Sequence, residues 1–346
     1  MDSITRVDFD NPDDFDRWQT YLASRSDTHC TDSGQWRRFF HELYGIPNVS
    51  YVFTEGGTVR GLVSLYHFRS PFMGNFLVTN PFFGYGGLYA DDDTIRDALL
   101  AKVRKQAASL DVDYIELRLR QTLPPPFAAA DDFLESHLDL LETEEEVWTQ
   151  QLASNVRQNL RRARKSDLEF RLSSDHRPCY RLLCRTLRAL GTPFHGEPML
   201  ALLRKHFARE TSFSEVWHRG ELMAAGVVMN FGDSVSTPYI GNLKQYGRLR
   251  ANYQQYWGII QHCLEQGVPR FELGRSPKGS THIRFKRKWG ARDIAVRYNY
   301  LVVNPRKRYR NVTNLSPIYR YATQTWKRLP LAFTSTLGPH LARYVP

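Results

Sequence analysis

The feature that most narrows what this chain can become is internal repetition: one order of elements is written twice. In the first copy, Asp13 to Tyr21 and Gly34 to Leu43 read as helices, and Tyr51 to Thr54 reads as a strand. Glu55-Gly56-Gly57 supplies a hairpin turn, where glycine reaches positive φ without strain. Val59 to Tyr66 and Asn75 to Thr79 read as strands, with a Gly/aromatic loop at 81–87 after them. From Thr94 to Leu110, Ile95, Leu99, Val103 and Ala107 recur every four residues, the spacing of one helical face. Tyr114 to Arg118 is the strand that closes the copy.

The second copy repeats the order. Ser214 to His218 is a strand, Arg219-Gly220-Glu221 a turn, Leu222 to Phe231 a strand and Val235 to Leu243 another. Ala251 to Gln266 is a helix closed by Gly267, and Arg270 to Leu273 the strand after it. Tyr114-Ile115-Glu116-Leu117 and Arg270-Phe271-Glu272-Leu273 hold equivalent places, as do Gly61 and Gly226. A doubled strand–turn–strand–strand–helix–strand order is a hairpin-rich α+β pattern rather than a regular βαβ repeat. It resembles the core order of the GNAT acyltransferase fold, which implies tandem GNAT-like domains. Leu123-Pro124-Pro125-Pro126 followed by three alanines punctuates the chain between the copies. The expected domains are 1–130, 131–303 and a basic helical tail, 304–346.

A chain of 346 residues, 42% hydrophobic, suits two globular domains. Net charge of +11 directs attention to anionic partners: nucleic acid, anionic lipid, nucleotide phosphates or coenzyme A. The N-terminus lacks the apolar core of a signal peptide, and no stretch nears 18 apolar residues, so a cytoplasmic address is expected. Cys30, Cys179, Cys184 and Cys263 form no C-x-x-C pair and no zinc spacing, and they read as free thiols. No metal site and no tightly bound cofactor is expected. His195, His206, His218 and His282 are scattered without a nucleophile–base partner, which points away from covalent catalysis.

Three segments concentrate cations. Thr143 and Glu146 have capping-box spacing ahead of a helix expected from Trp148 to Lys165, on which Arg157, Arg161 and Arg164 share one face suited to phosphate. Lys244, Arg248 and Arg250 stand just before the helix that starts at Ala251, where free N–H groups and the helix dipole favour an anion. The sharpest segment runs from Gly274 to Gly290: a glycine-rich turn with Arg275, Ser276 and Lys278, then Phe285-Lys286-Arg287-Lys288-Trp289-Gly290. It is no Walker A loop, since no lysine precedes Ser280-Thr281.

These motifs resemble the FemAB-like family, especially the branch associated with PEP-CTERM/exosortase systems. The resemblance rests on Phe271-Glu272-Leu273-Gly274-Arg275-Ser276, on Phe285-Lys286 with Trp289-Gly290, on Leu190-Gly191-Thr192-Pro193 and on the arginine run. The Trp326-Lys327-Arg328-Leu329-Pro330 stretch near the end adds to it. It implies two GNAT-like halves and transfer of an aminoacyl or acyl group to an amine of a cell-envelope or exopolysaccharide precursor. The donor implied is aminoacyl-tRNA or acyl-CoA, with the pyrophosphate of the donor at Lys244, Arg248 and Arg250. Lys286 takes the place of a lysine proposed to stabilise the reacting carbonyl, and Glu272 stands for the usual Asp as a candidate base. Tyr239, Asn252, Tyr253 and Thr192 join Gly274, Arg275, Ser276, Lys278, Phe285 and Trp289 as expected substrate contacts. The competing expectation is a GNAT-like binding module that holds RNA or a polyanionic glycan without catalysis.

After Asp293 the chain has no acid and nine basic residues, interleaved with Tyr319, Tyr321, Trp326 and Phe333. Such a tail either lies on an anionic membrane or packs as helices on the second domain, starting at Ser316-Pro317. Membrane docking would suit a lipid-linked acceptor.

Overall fold

A computed structural model describes residues 2–82, 84–310 and 317–345, without the side chains of Lys244 and of 317–320. Phe83 of the Gly/aromatic loop and Ser316 of the expected helix start lie outside the described residues, as do the side chains of Tyr319 and Arg320.

The chain begins with β1 (Ser3–Arg6), α1 (Pro12–Ala23), α2 (Gly34–Tyr44), β2 (Tyr51–Glu55), β3 (Thr58–Val63), β4 (Tyr66–Ser70) and β5 (Gly74–Val78). There follow β6 (Leu88–Ala90), α3 (Asp93–Ser109), β7 (Tyr114–Leu119) and β8 (Ala128–Asp139). Next come α4 (Glu144–Glu146), running into a π turn at Val147–Gln151, then α5 (Ser154–Arg164), β9 (Glu169–Ser173), α6 (His176–Leu190) and α7 (Glu197–His206). Strands β10 (Thr211–His218), β11 (Glu221–Asn230), β12 (Val235–Ser236) and β13 (Ile240–Asn242) precede α8 (Ala251–Glu265) and β14 (Arg270–Pro277). The chain finishes with α9 (Thr281–Arg287), β15 (Arg292–Val302), α10 (Pro317–Arg328) and α11 (Leu331–Ala342).

These elements gather into two compact units. Unit 1 holds Met1–Asp132, Ala295–Leu315 and Arg343–Pro346; unit 2 holds Phe133–Ile294 and Ser316–Ala342. Where three consecutive blocks were expected, both units are therefore discontinuous in sequence. The reason lies in β8 and β15. The alanines after the triple proline, expected to be a linker, begin the strand β8, which pairs with β14 rather than with the strand before it. In return, β15 follows β14 but pairs with β7.

Within unit 1, β1, β2 and β3 are antiparallel neighbours, and β3 pairs with β6 through Gly61↔Ala90. Past Ser64 and Leu65 the chain runs on as β4, antiparallel to β5, which lies parallel to β7 through Phe76↔Tyr114. Apolar faces of β7 and α3 close over one core that contains Leu99, Val103, Ile115 and Leu117. Unit 2 repeats this connection. β9, β10 and β11 are antiparallel, β11 pairs with β13 through Gly226↔Ile240 and with β12 through Met229↔Ser236, and β12 lies parallel to β14. Phe271, Leu138, Tyr256, Trp257 and Trp289 share its core.

Both predicted glycine equivalents are packing positions. A Cβ on Gly226 would sit 2.8 Å from the Tyr239 carbonyl oxygen, and one on Gly61 would sit 2.7 Å from the Ile95 side chain and 3.1 Å from the Tyr89 carbonyl oxygen. The neighbouring chain at Gly226, and helix α3 together with the neighbouring strand at Gly61, leave no room for a side chain without a shift.

Four local expectations change. The segment 235–243 is not one strand, because Thr237 to Tyr239 interrupt it. The helix expected at 148–165 is split: the capping box of Thr143 and Glu146 starts α4, and Leu152 turns to extended geometry before α5. The strand expected from Val59 to Tyr66 ends at Val63, and Tyr66 opens a separate strand, β4. The tail is no separate block: α10 and α11 belong to unit 2, where Arg188 Nε donates to the Leu329 carbonyl at 2.6 Å and Trp326 is buried.

Candidate active site

In unit 2 the parallel pairing of β12 with β14 extends over only two residue pairs, Val235↔Phe271 and Ser236↔Glu272. Beyond them the strands part. Among the described residues, β13 pairs with β11 and β14 continues with β8. Thr237, Pro238 and Tyr239 form the apex of the resulting V, and the Thr237 N–H still reaches the Glu272 carbonyl at 3.4 Å. The Thr237 hydroxyl is buried there without a hydrogen-bond partner.

At the point of divergence β14 carries a bulge. Its register against β8 moves from Glu272↔His137 to Arg275↔Glu135, so two residues oppose one. Gly274 makes this possible at φ 77°, a backbone geometry open to glycine. The bulge turns the Gly274 carbonyl to Lys286 on α9. Lys286 Nζ donates to that carbonyl at 2.5 Å and to Ser276 Oγ at 2.9 Å. The side chain is buried, and desolvation pulls its ammonium down to about 8, with the Glu135 and Asp293 carboxylates acting in the opposite sense. A lysine held by two acceptors, with one N–H to spare and a pKa near neutrality, is equipped to meet charge that develops on an oxygen.

Glu272 does not join Lys286. Cross-strand partners share a face, so Glu272, His137, Arg275 and Glu135 lie on one side of β14 and β8. Phe271, which meets the Tyr256 ring of α8, and Ser276, which meets Lys286, lie on the other. Strand alternation across the bulge thus sets Glu272, the candidate base, on the face of β14 opposite to Ser276 and its partner Lys286.

On the Glu272 side, Arg275 lies over the Phe133 ring at 4.9 Å, and its charge acts on Tyr239. Burial raises the Tyr239 phenol. Tyr239 contacts Phe194 at 5.5 Å and His195 at 5.9 Å between ring centroids. Both come from the α6–α7 loop. Burial lowers His195 to about 4, so its imidazole is neutral at physiological pH. Thr192, the expected contact from this loop, instead closes the C-terminus of α6 through its N–H to the Leu187 carbonyl, with its side chain exposed. The spacing of the loop could have suggested an aromatic lining, but nothing in the sequence ties 194–195 to Tyr239.

Arg248 and Arg250, expected to meet the donor's pyrophosphate, stand at the start of α8. Arg250, at φ 63°, is the N-cap residue of α8, and no side chain caps the first turn. Arg248 is exposed, and the half-buried Arg250 donates to the Gly247 carbonyl at 3.1 Å while its Nε has no partner. Asn252 is half-buried in the first turn. An uncapped fifteen-residue helix with Arg248 and Arg250 at its start presents free N–H groups beside positive charge, an arrangement that favours anions. The side chain of Lys244 lies outside the described residues.

Tyr253, Phe285 and Trp289 pack against one another and Tyr256 with ring centroids 5.4–6.1 Å apart, fixing α9 on α8. Lys278 is exposed at the turn. Arg157 is spent on the carbonyls of Trp148, Thr149 and Leu152 at 2.9–3.2 Å, closing the π turn. Arg161 and Arg164 lie over the Trp148 ring at 5.9 and 4.7 Å. Of the expected basic face, Arg157 is therefore turned to the π turn, while Arg161 and Arg164 stay exposed beside Trp148.

Residues 150–287 match the family described as Acetyltransferase (GNAT) domain. The chain therefore carries a GNAT acyltransferase domain, a transferase domain that falls entirely within unit 2. Solved structures match across both units: FemX, at 11% identity and TM-score 0.65, over 86% of this chain and 96% of that one. A tandem GNAT protein from the clavulanic acid biosynthesis pathway matches at 10% identity and TM-score 0.59, over 88% and 99%. L-PGS from Bacillus licheniformis matches at 12% identity and TM-score 0.50, over 96% and 97%. The fold is a tandem GNAT fold. No curated protein matches the sequence significantly. Among the described residues, no helix is long and apolar enough to cross a membrane, and no group of three or more His, Cys, Asp or Glu could hold a metal ion.

Proposed function

We propose that unit 2 transfers an acyl or aminoacyl group directly to an amine, with the donor on the uncapped end of α8 and the reacting carbonyl beside Lys286. One observation carries this reading: where β13 and β14 part, the bulge at Gly274 holds a buried lysine at two points, the Gly274 carbonyl and Ser276 Oγ. In the transition state the amine nitrogen bonds to the carbonyl carbon, negative charge gathers on the oxygen, and the Lys286 ammonium offsets it. Collapse expels the donor's thiol or hydroxyl and leaves an amide. Such a placed donor contributes on the order of 3 kcal/mol. The acceptor amine loses its proton to solvent or to a group of the acceptor itself, since Glu272 lies on the other face.

On the motif resemblance, the acceptor we infer is a cell-envelope or exopolysaccharide precursor handled by a FemAB-type enzyme of the PEP-CTERM/exosortase-associated branch. The donor is acyl-CoA or aminoacyl-tRNA. The cationic start of α8 suits the pyrophosphate of coenzyme A; the motif resemblance to the FemAB-like family favours the aminoacyl alternative. A screen of acetyl-CoA, longer acyl-CoAs and aminoacyl-tRNA with a panel of amine acceptors, read by mass spectrometry, separates the two. Formation of an amide with any donor, lost in Lys286→Met, is the expected result. Binding of polyanions alone, abolished by salt and unaccompanied by any transfer, would instead leave a binding module.

A further inference from the structure

Unit 1 holds a second cationic feature that the transfer chemistry does not use. A cavity of about 760 Å³ is lined by Ser70, Pro71, Met73, Gly74 and Asp113 on one side and by the run Arg306 to Arg310 on the other. It lies where β5 and β7 begin, the opposite strand ends from the Thr79–Gly87 segment that corresponds to the V of unit 2. Arg306, Lys307, Arg308 and Arg310 are all exposed, and none makes an ion pair among the described residues. The one carboxylate in the lining, Asp113, accepts the Asn75 N–H at 2.9 Å.

The loop is held in place. The Arg306 N–H reaches the Asn304 side chain at 3.0 Å, and Arg310 donates to the Phe72 carbonyl at 3.0 Å. Tyr309 stacks on Tyr300 with centroids 4.0 Å apart, and its hydroxyl donates to Glu116 at 2.8 Å. The aromatic ring within the loop is therefore occupied and offers no stacking platform to a base. What the rim does offer is Phe72, 45% exposed at the tip of the β4–β5 hairpin beside Pro71 and Met73. Adjoining hollows that share Ser70, Pro71 and Gly74, then Arg69 and Tyr344, carry the positive field on to Arg69 and Arg343.

We propose that this cavity is a headgroup site for an anionic phospholipid, with the phosphate among Arg306, Lys307, Arg308 and Arg310 and Phe72 inserted at the membrane interface. Cations set beside an exposed aromatic at a hairpin tip match the charge and the apolar layer of such a surface. Single-stranded RNA would share the phosphate chemistry, but would need free aromatic faces that the loop lacks.

The test is co-sedimentation of the full chain with vesicles of phosphatidylcholine, with and without phosphatidylglycerol. Binding only to the anionic vesicles is expected. It should fall on the order of 100-fold in Arg306→Ser/Lys307→Ser/Arg308→Ser, at about fivefold per cation. Phe72→Ser should weaken it about tenfold. Arg306→Lys/Arg308→Lys should bind within threefold of wild type, and unchanged thermal midpoints in all variants remove misfolding as the cause. No binding to anionic vesicles, or equal binding by the triple variant, would overturn the proposal. So would loss of affinity for single-stranded RNA in the triple variant with vesicle binding unchanged.

Discussion

Units 1 and 2 share one connection of strands and differ in what fills its junctions. In unit 2, three residues bridge β12 and β13, the strands part, and α8 begins uncapped with arginines. In unit 1, nine residues, Thr79 to Gly87, bridge β5 and β6. They are tied down by the Gly86 N–H to the Arg118 carbonyl at 2.8 Å and by Arg118 to the Asn80 carbonyl at 3.0 Å. Tyr89 and Tyr239 each precede the strand residue opposite the repeat glycine. Tyr239 meets the aromatic rings of the α6–α7 loop, whereas Tyr89 donates to the fully buried Asp32 at 2.6 Å, just ahead of α2. Helix α3 starts with Asp92, whose carboxylate caps the Ile95 N–H at 2.9 Å, next to Asp91 and Asp93. An anion that suits the start of α8 is repelled by the start of α3. One copy of the fold begins its helix uncapped beside arginines; the other caps it with an aspartate and ties the junction down with its own side chains.

Several substitutions break or sharpen this contrast. The largest effect is expected from Arg118→Met in unit 1. It removes the cationic partner of buried Glu116, held at 2.7 Å, and should cost about 3–5 kcal/mol in chemical denaturation. Lys286→Met should lower single-turnover transfer about 100-fold with little change in donor affinity. The same lysine gives a pH signature. Its ammonium is pulled to about 8 in the folded chain from the ordinary 10.5, so between those values the unfolded chain binds the extra proton. Stability of wild type relative to Lys286→Met should therefore rise with pH across that window, by roughly 3 kcal/mol in total, and be flat below it. The opposite slope would mean that Lys286 is stabilised, not strained, by burial. The smallest effect is expected for Asp92→Ala, about 1 kcal/mol from the lost cap, with donor binding unaffected.

Much of this contrast was legible before the fold. The duplication, the paired glycines and the loop before α8 are local signals, carried by turn chemistry and helical spacing. Lys286 was reachable through motif resemblance, yet not its anchoring by Gly274 and Ser276, because the bulge depends on register with β8, far away in sequence. The same register sends Glu272 to the wrong face for a base. The exchange of β8 and β15 leaves no local trace, so a punctuated segment rich in proline and alanine reads as a linker when it runs into a strand. Arg157, Arg161 and Arg164 were rightly placed on one helix, but their capture by Trp148 and by three carbonyls is tertiary.

The claim that unit 2 alone takes the donor is tested most directly by titration calorimetry with coenzyme A. Wild type should bind it, Arg248→Ala/Arg250→Ala should lose about tenfold, and Asp92→Ala should be unchanged, since each surface charge at a helix end contributes about 0.3–1 kcal/mol. Unaltered affinity in the arginine variant, or a gain in affinity when Asp92 is removed, would place the donor elsewhere and contradict the account.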